Sequence, residues 1–138
     1  MKCYVDSSVV LRVLLGEARP LPEWRKIKQA YASRLLVVEV GRTIDRCRLA
    51  GDIDDAEVEQ LHGELARLVR SVSLIGLTDA ILDRAAAAMP TVLGSLDAIH
   101  LASAMELERS LGERPVLATH DAQLARAGRA SGFAVVGG

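Results

Sequence analysis

Four carboxylates stand where a carboxylate is costly. Asp6 closes the apolar run of Y-V-D-S-S-V, Glu39 interrupts L-L-V-V-E-V, Asp97 opens S-L-D-A-I-H-L-A-S-A, and Asp121 follows A-T-H-D. An isolated carboxylate in apolar surroundings either loses hydration energy or takes up a proton. Four such acids require compensation from basic partners or from a bound cation. If they converge, a divalent ion is the simplest counter-charge. Oxygen-only donors suit Mg²⁺ or Mn²⁺, and no His/Cys spacing asks for zinc. One or two such ions can clamp a phosphodiester, generate a hydroxide near neutral pH and stabilise the leaving oxygen. The chemistry this points to is metal-assisted phosphodiester hydrolysis.

Each acid also has a plainer reading. Asp6 before Ser7 and Ser8 can start a helix, and Asp97 and Asp121 suit N-caps. Glu39 stands three residues before Arg42, the spacing of a helix-surface ion pair. It is the shared placement of the four that favours a site. Ser7, Ser8 and Thr119 are suited to support it, or to cap helices. His100 reads as a satisfied core histidine, while His120, between Thr119 and Asp121, fits a site neighbour and a loop residue equally. His62 lies on a polar helix face. Asp52, Asp54 and Asp55 read as a solvated turn and cap.

The elements that must position these residues alternate between strands and helices. Lys2–Val5 reads as a buried strand, and 8–15 as a helix closed by Gly16. The breaker A-R-P-L-P-E-W leads into a helix expected over 22–32. Leu35–Val38 suits a strand or a helix start. Val37, Val40, Ile44 and Cys47 trace an amphipathic helix ending near Gly51. Asp54 with Glu57 forms a capping box ahead of the stripe Val58, Leu61, Leu65, Leu68 and Val69. A strand is expected in Ser71–Leu77, then a helix capped by Thr78 and stopped by Pro90. Asp97–Leu111 should be a buried helix, Pro115–Ala118 a strand, Asp121–Ala127 a helix ended by Gly128, and Phe133–Val136 a last strand. The pattern predicts one α/β domain over 1–138, a three-layer α/β/α arrangement on a central parallel sheet of four to five short strands. Ligands of such sheets bind beyond the carboxyl ends of the strands. Asp6 and Asp121, each just after a strand, should therefore share one edge.

The composition excludes several classes. The chain has 138 residues, half of them hydrophobic and a quarter charged, which excludes disorder as the dominant state. Its aromatics are Tyr4, Trp24, Tyr31 and Phe133, too few for a base-stacking platform. Cys3 and Cys47 lack C-x-x-C spacing and read as small core residues in a reducing compartment. No targeting or membrane-spanning segment is visible, so a cytoplasmic location is expected. Seventeen Lys and Arg against eighteen Asp and Glu rule out a polybasic coat for nucleic acid. Setting four acids apart in a metal pocket leaves fourteen facing the seventeen bases, a sign that suits a phosphate backbone.

The segments YVDSSV, VVEVGR, SLDAIHLASA and ATHDAQL resemble, in order and spacing, the acidic motifs of PIN domains, and more closely the small VapC-type toxins of bacterial toxin–antitoxin pairs. The resemblance spans nearly the whole chain, and D-A-x-H-x-A-x-A is its most specific piece. It implies that Asp6, Glu39, Asp97 and Asp121 are the family's acidic quartet, supported by Thr119 and by the small polar pair Ser7 and Ser8. It further implies a Mg²⁺- or Mn²⁺-dependent endoribonuclease, a toxin role, an RNA substrate, a cognate antitoxin that blocks the site, and homodimerisation. The helix expected over 22–32, with Trp24 and Tyr31, and the next, with Arg42 and Arg46, would offer the antitoxin a groove.

Two other classes fit parts of the pattern. A non-catalytic interaction module would keep a vestigial acidic metal pocket. A receiver-like signalling domain also gathers acids at strand ends, but here no acidic pair follows the first strand. The lysines Lys2, Lys26 and Lys28 leave none at a strand end. Dehalogenase-type phosphatase chemistry is disfavoured because D-S-S lacks a second Asp two residues on.

Overall fold

The structure, a computed structural model, describes residues 1–16 and 22–138. Strand β1 (Lys2–Val5) runs into Asp6, which caps helix α1 (Ser7–Leu15) by accepting from the Ser8 backbone N–H at 3.1 Å. Gly16 ends α1 in the left-handed region, φ 63°, where a side chain would be strained. Pro22–Lys26 is a short 3₁₀ helix, and β2 (Gln29–Ser33) follows. The helix expected over 22–32 is therefore not formed, and residues 18–21 of the breaker lie outside the described residues. Q-A-Y-A-S becomes a strand because β1 and the strand at Ser73–Ile75 pair with it on either side. Leu35–Val38, open to either reading, begins α2 (Leu35–Leu49).

Helix α3 (Asp55–Ser71) starts with the expected capping box, Asp54 and Glu57 bonding each other's backbone N–H groups. β3 (Ser73–Ile75) leads to α4 (Asp79–Ala86), capped by the Thr78 hydroxyl. That helix stops before Pro90, because Ala87 is already extended. Then come α5 (Ser95–Leu111), β4 (Val116–Ala118), α6 (Ala122–Ala130) and β5 (Val135–Val136). Gly128 does not end α6. It lies inside the helix against Leu117, where an added Cβ would come within 2.5 Å of Leu117 Cδ2.

All five strands are parallel, in the order β3-β2-β1-β4-β5. Alternate residues of a strand face opposite sides, and the core divides accordingly. Cys3, Val5 and Ala118 pack with Val9, Val10, Leu36, Val40, Ile44, Leu61 and Leu65 of α1, α2 and α3. Tyr4 and Leu117 pack on the other side with Leu101, Ala104, Leu107, Leu124 and Ala127 of α5 and α6. The result is the expected three-layer sandwich. Both cysteines are free, Cys3 buried and Cys47 partly so. Among the described residues, no helix is long and apolar enough to cross a membrane.

The strand order fixes where a site can form. From β1 the chain moves outward to β2 and β3, then returns to β4 on the other side. β1 and β4 therefore flank the switch point, with Val5 in register with Ala118. Asp6 and the Thr119–Asp121 segment leave the sheet side by side.

Candidate active site

The backbone places Asp6 first. Its N–H donates to the Ala118 carbonyl at 3.1 Å, continuing the β1–β4 ladder by one bond. Its side chain is then held from both sides of the switch point. Oδ1 accepts from the Ser8 hydroxyl at 2.5 Å and Oδ2 from the Thr119 hydroxyl at 2.8 Å. The same two hydroxyls also accept: Ser8 from the His120 N–H across the switch point at 2.8 Å, Thr119 from the Asp121 N–H on its own segment at 3.0 Å. Each hydroxyl hydrogen is thus spent on Asp6. The supporting hydroxyl after the first acid is Ser8. Ser7 is buried and makes none of these side-chain bonds.

Asp121 caps α6 through the Leu124 N–H at 2.9 Å, and Asp97 lies in the first turn of α5. Three of the four acids therefore sit at the positive ends of α1, α5 and α6, where helix dipoles favour negative charge. Asp6 and Asp121 act as caps and as members of the cluster at once. Glu39 comes from α2. Its carboxylate meets His100 Nε2 at 2.6 Å, not Arg42, which pairs with Asp45 at 2.9 Å. The plainer reading of Glu39, an ion pair with Arg42, therefore does not hold.

Each of the other three acids acts on Asp97. Burial, followed by repulsion from Asp121 and Asp6 and more weakly from Glu39, pushes the Asp97 carboxyl up to about 6, against the pull of His100. Burial also raises Asp6, although the Ser8 and Thr119 hydrogen bonds and the His100 charge pull it down. Burial alone would lower His100. The hydrogen bond and charge of Glu39, with Asp6 and Asp97 behind it, outweigh burial and raise it. Among the described residues no Lys or Arg ion pair reaches any of the four.

The donor chemistry fits a hard divalent cation: carboxylates, hydroxyls and no sulfur. Among the described residues, however, no three His, Cys, Asp or Glu side chains are grouped closely enough to hold one ion. Mg²⁺ does not need such a group: it keeps several waters and is typically bound by one or two carboxylates and substrate phosphates.

The expectation of a satisfied core histidine holds for His100, whose ring nitrogens both have partners, but one partner is a site acid. Its other nitrogen, Nδ1, is 2.7 Å from the Tyr4 hydroxyl. Tyr4 was not singled out from the sequence. Its signal was its position two residues before Asp6, on the same strand face, with His100 one helical turn after Asp97. His120 touches the site by its backbone, while its ring Nδ1 bonds the Gly137 carbonyl at 2.9 Å. The groove expected between two helices is not built as read: Tyr31 belongs to β2, Trp24 to the 3₁₀ turn, and Arg46 donates to Thr43 on its own helix.

Comparison with known proteins agrees with this geometry. The PIN domain family model matches residues 3–130. Ribonuclease VapC46 of Mycobacterium tuberculosis is 29% identical over 136 residues, covering 96% of this chain and 95% of its own. FitAcB from Neisseria gonorrhoeae superposes with a TM-score of 0.70 at 15% identity, over 96% of this chain and 95% of that one. A toxin–antitoxin complex from Klebsiella pneumoniae gives 0.64 at 17% identity, over 89% and 90%. Sequence motifs, sheet order and acidic cleft lead to one assignment: the chain belongs to the PIN domain family, with its resemblance inside that family to the VapC-type members.

Proposed function

We propose that this chain is a Mg²⁺- or Mn²⁺-dependent endoribonuclease and the toxin of a toxin–antitoxin pair. The observation that carries the reading is the charge imbalance at the switch point. Burial, with repulsion from Asp121, Asp6 and Glu39, raises Asp97 to about 6, which supports a common site for the four acids. The curated relative named a ribonuclease, aligned over nearly the whole chain, supports RNA as the substrate. The structural neighbour described as a toxin–antitoxin complex supports an antitoxin partner. Exposed Leu77 and Leu82, before and on α4, and Val92 and Leu96, before and in the first turn of α5, support self-association as a homodimer.

One or two of Asp6, Glu39, Asp97 and Asp121 would hold the cation, with water and substrate phosphate completing its shell. When bound, it would supply Lewis-acid stabilisation of the phosphoryl charge and a nucleophile at neutral pH. The chain's own contribution is placement. Ser8 and Thr119 fix both Asp6 oxygens, the Asp121 N–H is tied to Thr119, and His100 holds Glu39.

The test is to induce the protein in cells and map cleavage sites across total RNA, beside an Asp6→Asn control. Discrete cuts absent from the control, and abolished in vitro by excess EDTA, are expected. Growth arrest with intact RNA would reject the ribonuclease. Cleavage that persists in EDTA would reject the metal. Tight divalent-ion binding with no cleavage of any RNA would favour the interaction module.

A further inference from the structure

We propose that His100 is a positioning residue for Glu39: pinned by Tyr4, its ring fixes the direction in which the Glu39 carboxylate is presented to the cleft. This rests on the ribonuclease reading of the site.

The four acids are not restrained alike. Asp6 has its two hydroxyls, Asp121 has its cap, and Asp97 has a short side chain on the first turn of a helix. Glu39 is longer, with more torsions to fix, and it stands in mid-helix on α2 with no cap to make. Its carboxylate is held by His100 Nε2 at 2.6 Å, and among the described residues no other side chain bonds it. Glu39 thus depends on His100 for the order that a reacting site requires.

His100 can supply that order because it cannot move. It is 1% exposed, and its opposite nitrogen is 2.7 Å from the Tyr4 hydroxyl. Tyr4 is fully buried on the central strand β1, and its ring meets the imidazole edge-on, with centroids 6.0 Å apart. The chain Tyr4–His100–Glu39 therefore crosses from the sheet through α5 to α2. It joins elements separated by 96 and 61 positions in sequence.

The hold survives either charge state of the ring. An ionised carboxylate only accepts, so Nε2 carries the proton in both. The Tyr4 hydroxyl donates to a bare Nδ1 or accepts from a protonated one. Burial keeps the phenol itself protonated, raised well beyond its ordinary range. Asp6 and Asp97 also act on the imidazole, so the acid cluster reinforces its attraction to Glu39.

The test combines a mutant cycle with a spectrum of the whole chain. His100→Leu should lower kcat on a cleavable RNA by about 10²-fold with KM changed less than about twofold, as expected when orientation is lost and binding is not. His100→Gln, which can still donate to Glu39, should recover most of the loss. In a Glu39→Gln background, His100→Leu should have no further effect. Independently of activity, long-range ¹H–¹⁵N spectra of the metal-free protein should show the His100 ring with its proton on Nε2, shifted by Glu39→Gln and by Tyr4→Phe.

Full additivity of His100→Leu and Glu39→Gln would overturn the proposal, as would equal losses in His100→Leu and His100→Gln that follow a common drop in melting temperature. If His100→Leu does not fold, the ring spectrum and the kinetics of Tyr4→Phe decide: unshifted resonances with unchanged kcat would overturn it. A wild-type chain that cleaves no RNA would instead reject the ribonuclease, leaving the spectrum to report on the link itself.

Discussion

The Thr119 hydroxyl joins the first and last acids of the site: it donates to Asp6 Oδ2 at 2.8 Å and accepts from the Asp121 N–H at 3.0 Å. Thr119 is fully buried, so water cannot replace it. Thr119→Val keeps the shape and leaves both partners unpaired, at a cost of about 1–3 kcal/mol. We expect a melting temperature lower by about 3–10 °C and at least about tenfold slower RNA cleavage. Thr119→Ser should restore both. Equal melting and activity in the valine variant would show that this bond does not order the site.

Asp6 should behave differently on stability. It is 2% exposed, and burial raises its carboxyl, so its charge at neutral pH works against the fold. Asn is as good an N-cap as Asp and keeps an acceptor for the Ser8 N–H. Asp6→Asn relieves that charge but gives up the acceptor for the Thr119 hydroxyl, so it should melt closer to wild type than Thr119→Val does at neutral pH, while cleavage falls by at least about 10²-fold. Calorimetry and a cleavage assay on one preparation check both. A variant that melts as low as Thr119→Val and still cleaves would contradict both halves of the argument.

These acids were legible in the sequence because a carboxylate inside an apolar run breaks a pattern that burial otherwise enforces. The capping box at Asp54 and Glu57 was legible for a similar local reason. β2 was not: Gln29–Ser33 has no β-branched residue, and its strand conformation comes from the ladders to Tyr4 and Leu74 on either side. Gly128 was read as a stop, because a glycine needed for close packing and one needed for a turn look alike until the neighbour is known. The Tyr4–His100–Glu39 chain was hidden for the same reason, since contacts across 96 and 61 positions leave no local period.

Gly128 supplies a test of that packing. An alanine there would bring Cβ within 2.5 Å of Leu117 Cδ2 and 3.4 Å of Val135 Cγ2. Leu117 is fully buried and cannot swing clear, so overpacking of about 1–3 kcal/mol opposes the roughly 1 kcal/mol that alanine gains in a helix. The net expectation for Gly128→Ala is a modest loss, a melting temperature down by a few degrees. Leu117 is two residues before Thr119, so cleavage should fall with it. Chemical denaturation with an unchanged slope would measure the loss, and a variant more stable than wild type would show that α6 can lift from β4.

Asp97 provides the pH signature of the cleft. Its carboxyl is raised from 3.8 to about 6, so the folded chain holds this proton more tightly than the unfolded chain. Its stabilising contribution is full below 3.8 and is lost as pH rises through about 6. Asp6 is raised too, with the same sign, so the difference between wild type and Asp97→Asn removes most of its contribution and reports Asp97 with the groups coupled to it. In metal-free protein, the melting temperature of wild type minus that of Asp97→Asn should fall steadily between pH 3.8 and about 6 and then level off. Mn²⁺ added above that window should raise the wild-type melting temperature more than the variant's, because a cation binding only the folded, ionised site is linked to stability. Parallel melting curves across the whole pH range, with no differential response to Mn²⁺, would show that Asp97 neither feels the other acids nor holds the ion.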